Sequence, residues 1–357
     1  GPQARSQAER LEETPPEELR WPGHCYKSPY PLSETYFLVS YSYDRLRGEP
    51  GPNRPNMFGL YLVDAFGNKE LLYRDPNISS QWPMPLRPRS RPPVTETPPT
   101  WEGVDGEGRP EGTFFVQNVY ESWPKLPDVE IASLRIIQVL PKTTPNANQP
   151  KVGAANASPG KQVLGTVPVE SDGSIYFRAP AGTPVLFQAL DAQNRAVQTM
   201  RSLTYLQPGE QSSCIGCHEP RTTTGVTQNL MRAQALGREP STIEAGPDGS
   251  NPLSYPILVQ PVLDRLCIAC HTEERPDGDL ILTGEPDGTF SRSYNGLIPH
   301  VAYSAWNAPN GNYEPRTEPD RFGARASRLV ALLDEGHYDA KLTPDDWDRL
   351  VTWIDAN

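Results

Sequence analysis

The sequence predicts a mixed, β-rich fold in which an antiparallel β-sandwich follows propeller-like strands and precedes a small, mostly α-helical domain. Short runs of β-branched and aromatic residues, separated by Gly, Pro and Asn, occupy most of the chain before residue 206. The 41 prolines among 357 residues limit helix content. The clearest helical spacing of apolar residues lies near the end of the chain, from residue 343 onwards.

Composition narrows the classes of function. A chain of 357 residues is long for one compact domain, so we expect two or three domains. Hydrophobic residues make up 36%, and no apolar run approaches the ~18 residues of a transmembrane helix, so we expect no membrane span. The net charge of −11 argues against nucleic acid as a partner and suits a basic redox protein as a partner.

The chain divides into four predicted segments. Residues 1–21 are charged and proline-punctuated, and we expect a flexible lead-in whose Gly-Pro start is typical of a cleaved purification tag. Residues 22–110 contain an N-terminal β meander, like a remnant of a propeller, and a proline-rich segment. Residues 111–225 form the predicted β-sandwich middle domain, and residues 226–357 form the predicted helical domain.

Strand predictions follow the β-branched and aromatic runs. They cover 35–42, 58–65 and 69–75 in the meander, and 112–120, 132–140, 173–179, 183–191 and 196–206 in the sandwich. The turn signals at 171–173 and 180–182 predict hairpin turns between neighbouring strands. Residues 141–162 are predicted to form a long polar loop within the sandwich.

Three helices are predicted in the last segment, at 254–267, 325–336 and 343–357. Pro256 and Pro261 restrict or kink the first helix. Gly336 suits the C-terminal stop of the second. Thr343 can cap the third, ahead of a proline and two aspartates that suit the positive end of the helix dipole.

Two Cys-x-x-Cys-His motifs carry the strongest functional signal. They comprise Cys214, Cys217 and His218, and Cys267, Cys270 and His271. The spacing lets both thiols reach the two vinyl groups of one porphyrin, and the adjacent histidine then ligates the iron. A four-cysteine zinc site would favour pairs ~15–20 residues apart, which is closer than these two motifs lie. We therefore predict two covalently attached haem c groups, haem 1 at the first motif and haem 2 at the second.

Cysteine usage also predicts the compartment. Four of the five cysteines belong to the two motifs, and thioether attachment of haem takes place on the periplasmic or extracellular side in bacteria. We therefore expect an exported bacterial protein, periplasmic or extracellular, whose signal peptide is absent from this sequence.

Three further histidines are candidates for the sixth ligands of the two irons. A second histidine or a methionine favours electron transfer, whereas an open position admits small molecules. His337 lies in a turn between the last two predicted helices, so we expect it to ligate haem 2. His24 or Cys25 is the candidate sixth ligand of haem 1, although the spare Cys25 also suits a buried thiol, a zinc thiolate or an intermolecular disulfide. We expect His300 to be structural or exposed.

Several weaker candidates are expected to serve other purposes. The methionines that rival His24 and Cys25 at haem 1 are Met84, Met200 and Met231, but buried methionine usually fills the core. The aromatic stretches Tyr120–Trp123 and Tyr303–Asn307 could line a haem pocket, although core packing is the commoner use. The acidic stretch Arg275–Leu280 lacks the full carboxylate spacing of a calcium loop, so we expect a turn there. Zinc and calcium are minor additional cofactor candidates.

These motifs lie within a wider resemblance. Leu164–Arg221, which includes the first motif, resembles the middle domain of the hydrazine synthase alpha subunit family. Other stretches that resemble this family are 28–44 and 58–75, similar to the end of its β-propeller, and 267–284, 321–342 and 347–357, similar to its cytochrome c domain. The resemblance covers nearly the whole chain from about residue 22 but lacks most of the propeller, which implies a fragment or a shortened relative.

The resemblance implies a β-rich middle domain carrying haem 1 and a helical cytochrome c domain carrying a bis-histidine haem 2, with His271 and His337 paired on its iron. In hydrazine synthase, haem 1 is the proposed active site. A tyrosine after the motif ligates its iron, and the motif histidine binds a zinc shared with an N-terminal cysteine. Here Thr222 stands four positions after His218, where the family pattern has the tyrosine, and Cys25 aligns only loosely with the cysteine.

The leading hypothesis is a periplasmic dihaem c-type cytochrome that transfers electrons, with haem 1 as a reactive centre and haem 2 as a bis-histidine relay. The alternative is a haem enzyme, a haem c oxidoreductase related to hydrazine synthase. It would act at haem 1 on a small nitrogen or oxygen species such as nitric oxide, hydroxylamine, a hydrazine-type compound or peroxide. A third class is a binding or sensor module docked in a larger complex or on a fused propeller.

Overall fold

The computed structural model describes residues 25–44, 54–88, 91, 110–146, 149–155, 158–218, 233–303 and 318–356. The chain forms two compact units, Gly1–Glu96 and Thr97–Asn357. The predicted sandwich and the predicted helical segment therefore fall in the same unit. The finer division of the chain into four segments stays a prediction.

The first unit contains one four-stranded antiparallel sheet in the order β1-β2-β3-β4. Its strands are β1 (Cys25–Pro31), β2 (Tyr36–Ser42), β3 (Gly59–Asp64) and β4 (Lys69–Tyr73). The predicted meander is therefore confirmed, with Val39, Tyr41 and Tyr61 buried in its small core. Within the described residues, the strands close into neither a barrel nor a propeller.

Strand β1 is an element that the sequence patterns did not predict. Its prolines, Pro29 and Pro31, argue against a central strand, but β1 lies at the edge of the sheet beside β2. A register shift between Lys27 and Tyr30, with Ser28 at a φ of 51°, accommodates the Ser-Pro step. The edge position is therefore the reason that a proline-containing segment forms a strand here.

The second unit begins with a β-sandwich. Its strands are β5 (Glu111–Val116), β6 (Ser133–Val139), β7 (Lys161–Pro168), β8 (Ile175–Pro180), β9 (Val185–Leu190), β10 (Ala196–Thr199) and β11 (Gln211–Cys214). One sheet has the order β10-β9-β6-β7 and the other the order β11-β5-β8. Phe114 and Phe177 of the second sheet contact Phe187 of the first at ring-centroid distances of 5.2 and 5.8 Å. The two sheets therefore share one core.

The sandwich differs from its sequence prediction in its strands and in its turns. Strand β7 begins at residue 161, inside the predicted loop, and β11 was not predicted. The turns at 171–173 and 180–182 exist, with Gly173 and Gly182 at φ values of 81° and 66°, but each joins strands of different sheets and so is not a hairpin turn. Strand β11 pairs with β5 in parallel, whereas every other pair in the sandwich is antiparallel. Local turn chemistry predicts where the chain reverses but not which sheet it joins next.

The C-terminal part of the second unit is built from short helices, as predicted. They are α1 (Tyr255–Leu258), α2 (Gln260–Leu266), α3 (Arg292–Leu297), α4 (Arg328–Asp334) and α5 (Pro344–Ala356), beside a two-stranded ladder of β12 (Pro286–Asp287) and β13 (Phe290–Ser291). Pro256 and Pro261 split the first predicted helix at Val259, and each occupies the first turn of its own helix. None of the described helices combines the length and apolar character needed to cross a bilayer.

Helix α5 begins and packs as its sequence predicts. The Thr343 hydroxyl accepts from the Asp346 backbone N–H at 3.2 Å, and an Asp346 carboxylate oxygen accepts from the Thr343 N–H at 3.1 Å. This reciprocal capping satisfies two backbone donors that the first helical turn leaves open. Leu350, Val351 and Ile354 are buried in the core that the helices share.

An ion pair joins α5 to the outer face of the β10-β9-β6-β7 sheet of the sandwich. Leu134 and Ile136 of β6 face the sandwich core, so the side chain of Arg135 between them lies on the opposite face. The Arg135 guanidinium pairs with the Asp355 carboxylate at 3.3 Å and donates to Gln188 Oε1 at 2.9 Å. Both charged side chains are buried, so the contact joins sandwich and helices without solvent between them.

Candidate functional site

The second motif begins where α2 ends. Cys267 is the C-cap of α2, and its backbone N–H donates to Leu263 O at 2.8 Å. The N–H groups of Cys270 and His271 both donate to Cys267 O, at 3.1 and 3.2 Å. The motif is therefore wound into hydrogen-bonded turns that keep the two thiols and the imidazole close together.

The turn after this motif orients His271. Arg275–Leu280 forms the predicted turn, in which Asp277 N–H donates to Cys270 O at 3.1 Å. The turn brings Leu280 O to 3.3 Å from His271 Nδ1. With the proton on Nδ1 the imidazole donates to that carbonyl, which leaves Nε2 free of a proton for a metal ion.

His337 lies opposite His271. Gly336, at a φ of 86°, follows α4 as the predicted stop, and Ala340 N–H closes the next turn on His337 O at 3.1 Å. The two imidazole centroids are 6.1 Å apart, and the ring planes differ by 18°. A metal–nitrogen bond is ~2 Å and a ring nitrogen lies ~1 Å from its centroid, so two imidazoles on one metal ion have centroids roughly 6 Å apart. The residues present fit one haem iron between them.

The first motif lies at the edge of the sandwich. Strand β11 runs parallel to β5, with Cys214 beside Val116. Beyond the strand, Gln117 N–H donates to Cys214 O at 2.9 Å and Trp123 N–H donates to His218 O at 2.9 Å. Backbone hydrogen bonds therefore hold the whole motif against the segment that follows β5.

Gly216 explains the sequence between the two cysteines of the first motif. A Cβ atom at this position would lie 1.7 Å from Glu121 O, well inside contact distance. Only glycine allows the motif to approach the backbone so closely. The second motif has Ala269 at the equivalent place.

An aromatic ring lies beside the first motif histidine. The Trp123 and His218 ring centroids are 5.9 Å apart, with 36° between the planes. Tyr120 of the same predicted stretch instead supports the backbone, since its hydroxyl accepts from Ile131 N–H at 2.9 Å. Within the stretch Tyr120–Trp123, the indole of Trp123 therefore lies beside the motif histidine, whereas the Tyr120 hydroxyl supports the backbone at Ile131.

A cavity of about 540 Å³ opens beside the first motif. Its walls include Cys214, Cys217 and His218 from the β11 side, and Phe187 and Met200 from the facing sheet. The two cysteines also pack against the sandwich core. An apolar cavity lined by both thiols and the imidazole fits a covalently held haem.

A larger cavity adjoins the first. Its volume is about 690 Å³, and it shares residues 199–202 with the cavity at the motif. Lys161 lines the larger cavity, where burial lowers its pKa to about 8. Tyr303, from the second predicted aromatic stretch, lines this cavity as well. Residues 199–202 thus line both the cavity at the first motif and this larger cavity.

Burial disfavours the thiolate form of two motif cysteines, Cys217 and Cys267. It raises the pKa of Cys217 to about 12 and that of Cys267 to about 11. A protonated thiol is a poor ligand for a metal ion, whereas a thioether carries no charge at any pH. All five cysteines are described and none forms a disulfide. Thioether attachment therefore adds no buried charge at these two cysteines.

The residues considered as sixth ligands lie on different elements of the chain. Cys25 begins β1 in the first unit, half-buried, and burial raises its pKa against the opposing charge of Lys27. His24 lies outside the described residues, so ligation of haem 1 by His24 or Cys25 stays a prediction. Met84 is 60% exposed, and His300 is half-buried at the end of a 3₁₀ turn.

The weaker candidate Met231, and Thr222 where the family pattern has a tyrosine, also lie outside the described residues. Among the residues that the structure does describe, no three His, Cys, Asp or Glu side chains are grouped as a metal site. Zinc and calcium therefore stay predictions without a described ligand set.

Three site residues escaped the sequence prediction or were assigned another purpose. Leu280 acts through its backbone carbonyl, which no side-chain pattern can signal. Gly216 could have been found by asking why the first motif contains a glycine. Met200 was expected to fill the core, yet it lines the cavity at the first motif.

Comparisons with known proteins identify similar chains. Residues 129–219 match the family model described as the hydrazine synthase alpha subunit middle domain. A curated relative, hydrazine synthase subunit alpha of Kuenenia stuttgartiensis, is 25% identical across 93% of this chain and 53% of its own length. A solved structure, Kuenenia stuttgartiensis hydrazine synthase, has a TM-score of 0.58 at 22% identity, covering 94% of this chain and 55% of that chain. The predicted resemblance is confirmed, and the chain spans about half the length of the relatives it matches.

Proposed function

We propose that this hydrazine synthase alpha-like chain is an exported dihaem c-type cytochrome that passes electrons to or from partner proteins. Haem 2 is the bis-histidine relay of the helical cytochrome c domain. Haem 1, held by the β-sandwich, is the second redox centre and the place where any chemistry occurs. Bound haem iron supplies one-electron chemistry by changing between the ferrous and ferric states.

The opposition of His271 and His337 carries this proposal. The 6.1 Å between their ring centroids suits two axial ligands of one iron. The Leu280 carbonyl beside His271 Nδ1 fixes the orientation of that imidazole. Two strong ligands keep other small molecules off the iron, which favours electron transfer over substrate binding.

The net charge and the expected exported location both favour a redox protein as the partner. The net charge of −11 suits a basic redox protein, which the acidic surface would attract at long range. Thioether attachment of haem argues for a periplasmic or extracellular site. The curated relative is named as a subunit, so we extend the proposal to membership of a larger complex.

A second candidate function is catalysis at haem 1. The observation that favours it is the pair of adjoining cavities, about 540 and 690 Å³, which offer space for a small molecule beside the first motif. The resemblance to hydrazine synthase suggests a small nitrogen or oxygen species as the substrate class. In this function an open or displaceable ligand at haem 1 is required.

Haem content tests the proposal. The exported protein is expected to carry two covalent haems, measured by intact mass and by the pyridine haemochrome spectrum. Replacing Cys214 and Cys217 by serine removes one haem, and replacing Cys267 and Cys270 removes the other. The control, Cys25→Ser, keeps both. A wild-type protein with no covalent haem contradicts the proposal.

Carbon monoxide separates the two candidate functions. The ferrous protein of a pure electron carrier binds little carbon monoxide, because both irons are six-coordinate. Rapid binding of one equivalent per chain, together with turnover of nitric oxide, hydroxylamine or peroxide, supports the enzyme instead.

A further inference from the structure

We propose that Met200 is the axial ligand opposite His218 on haem 1. The proposal rests on the proposed function, since it presumes haem at the first motif. It gives haem 1 histidine–methionine ligation and haem 2 bis-histidine ligation, so that the two centres have different potentials.

The position of Met200 is the first argument. The cavity at the first motif lies between the two sheets of the sandwich, with Val116 and Ile175 on one side and Phe187 on the other. Strands β11 and β10 are edge strands of the opposing sheets. The motif follows directly from β11, and Met200 follows directly from β10. The two edge strands therefore deliver the histidine and the methionine to the same cavity.

The second argument is that methionine is one of the side chains that can ligate haem iron. Side chains that ligate haem iron are histidine, methionine, cysteine and tyrosine. Of the described residues that line this cavity, Met200 is the one such side chain outside the motif itself. Its unbranched thioether needs no deprotonation to bind iron, so an apolar cavity does not disfavour it.

The backbone around Met200 is held in place, which is the third argument. The N–H of Met200 donates to Phe187 O at 2.9 Å, so the residue extends the β10–β9 pairing by one hydrogen bond. Arg201 and Ser202 are exposed, while Met200 itself is half-buried. A ligand presented from the end of a paired strand needs little ordering on binding iron.

Ligation by Met200 also accounts for a departure from the family. The family pattern has a tyrosine four positions after the motif histidine, and this chain has Thr222 there. Methionine with histidine raises the potential of haem c, whereas a second histidine does not. Electrons are then expected to move from haem 2 to haem 1.

Absorption of the ferric protein is the first test. Histidine–methionine ligation produces a weak far-red band from sulfur-to-iron charge transfer, which bis-histidine haem lacks. We expect the band in the wild-type protein and its loss in Met200→Leu, with one of the two haems becoming high-spin. Met84→Leu, Cys25→Ser and His24→Ala keep the band. Absence of the band from a wild-type protein with two haems, or its persistence in Met200→Leu, overturns the proposal.

The Met200→His variant distinguishes ligation of the iron by Met200 from a role in packing alone. This variant is expected to keep haem 1 low-spin while lowering its midpoint potential toward that of haem 2, as measured by redox titration. A methionine that only fills space would leave the potential of its low-spin haem unmoved by this change, and that result counts against ligation. Intact mass is measured on every sample. Fewer than two haems in the wild-type protein defeats the proposed function, whereas two haems with an unchanged Met200→Leu spectrum defeats this inference alone.

Discussion

At the residue scale, the two motif histidines differ in what surrounds them. His271 has a carbonyl oxygen at 3.3 Å from Nδ1 and a second imidazole with its centroid 6.1 Å away. His218 has the indole of Trp123 at 5.9 Å and a cavity of about 540 Å³. Two motifs of the same Cys-x-x-Cys-His pattern therefore meet different environments, and the environment of a bound haem decides what its iron can do.

Replacing His337 tests the bis-histidine assignment. In His337→Ala the second imidazole is lost, so we expect haem 2 to become high-spin while both haems stay attached. Low-temperature EPR of the ferric protein measures the change, and added imidazole is expected to restore the low-spin signal.

His300→Ala is the matched control for that experiment, because His300 is a half-buried histidine of the same unit that lies on a 3₁₀ turn. It is expected to leave the EPR spectrum as in the wild-type protein. A low-spin haem 2 in His337→Ala without added imidazole contradicts the assignment.

At the scale of elements, the first motif depends on close backbone packing. Ala at position 216 would place its Cβ 1.7 Å from Glu121 O, so the motif must move away from the segment after β5. We expect Gly216→Ala to lower attachment of haem 1, seen as a one-haem species in the intact mass.

The second motif supplies the control for this change. Ala269 occupies the position equivalent to Gly216, and Ala269→Gly is expected to keep two haems. Full occupancy of both sites in Gly216→Ala would show that the Glu121 contact is not required.

Local patterns predicted most elements but not their pairing. The alternation in 36–42 and 59–64 predicted the meander, and the Thr343 cap with its apolar stripe predicted α5. Strand β11 has only four residues, and its partner β5 lies about a hundred positions earlier in the chain. No local period signals such a long-range parallel pair.

The candidate site was predictable where its residues are adjacent in sequence, and not where they are brought together from distant parts of the chain. Sequence spacing identified both motifs, because thioether attachment requires adjacent residues. The closeness of the His337 and His271 rings agrees with the turn position of His337 and with the family resemblance, and their pairing on one iron stays a prediction. The place of Met200 beside the first motif could not be predicted, because the approach of β10 to β11 depends on how two sheets stack, which the residues near Met200 do not encode.

At the scale of the whole molecule, a buried network joins the parts of the second unit that carry the two motifs. Asp355 of α5 accepts from Ala196 N–H at 2.8 Å and from Ala324 N–H at 2.6 Å, besides its ion pair with Arg135. Ala196 begins β10, the strand that ends beside Met200. The last helix and the edge strand at the first motif are therefore fixed to one another.

Removing Arg135 is expected to weaken both the fold and the first site. The Arg135 and Asp355 side chains are 2% and 0% exposed, so Arg135→Ala leaves a buried carboxylate without its cation. Breaking such a pair costs about 3–5 kcal/mol, which denaturant unfolding of the two-haem protein would measure. Arg178→Ala removes an ion pair whose side chains are 44% and 93% exposed, so its cost should be only about 0–1 kcal/mol.

The same pair links stability to the first motif, because Asp355 also holds Ala196, the first residue of β10, by a hydrogen bond. If β10 presents Met200 to haem 1, then Arg135→Ala should weaken the far-red band at denaturant concentrations where the fold persists. Arg135→Met combined with Asp355→Leu removes both charges and should recover part of the lost stability, since no unpaired charge is left buried although the Ala196 and Ala324 N–H groups lose their acceptor. A double variant as unstable as Arg135→Ala would assign the loss to packing and not to the carboxylate. An unchanged band in folded Arg135→Ala would show that the network supports the fold but not the position of Met200.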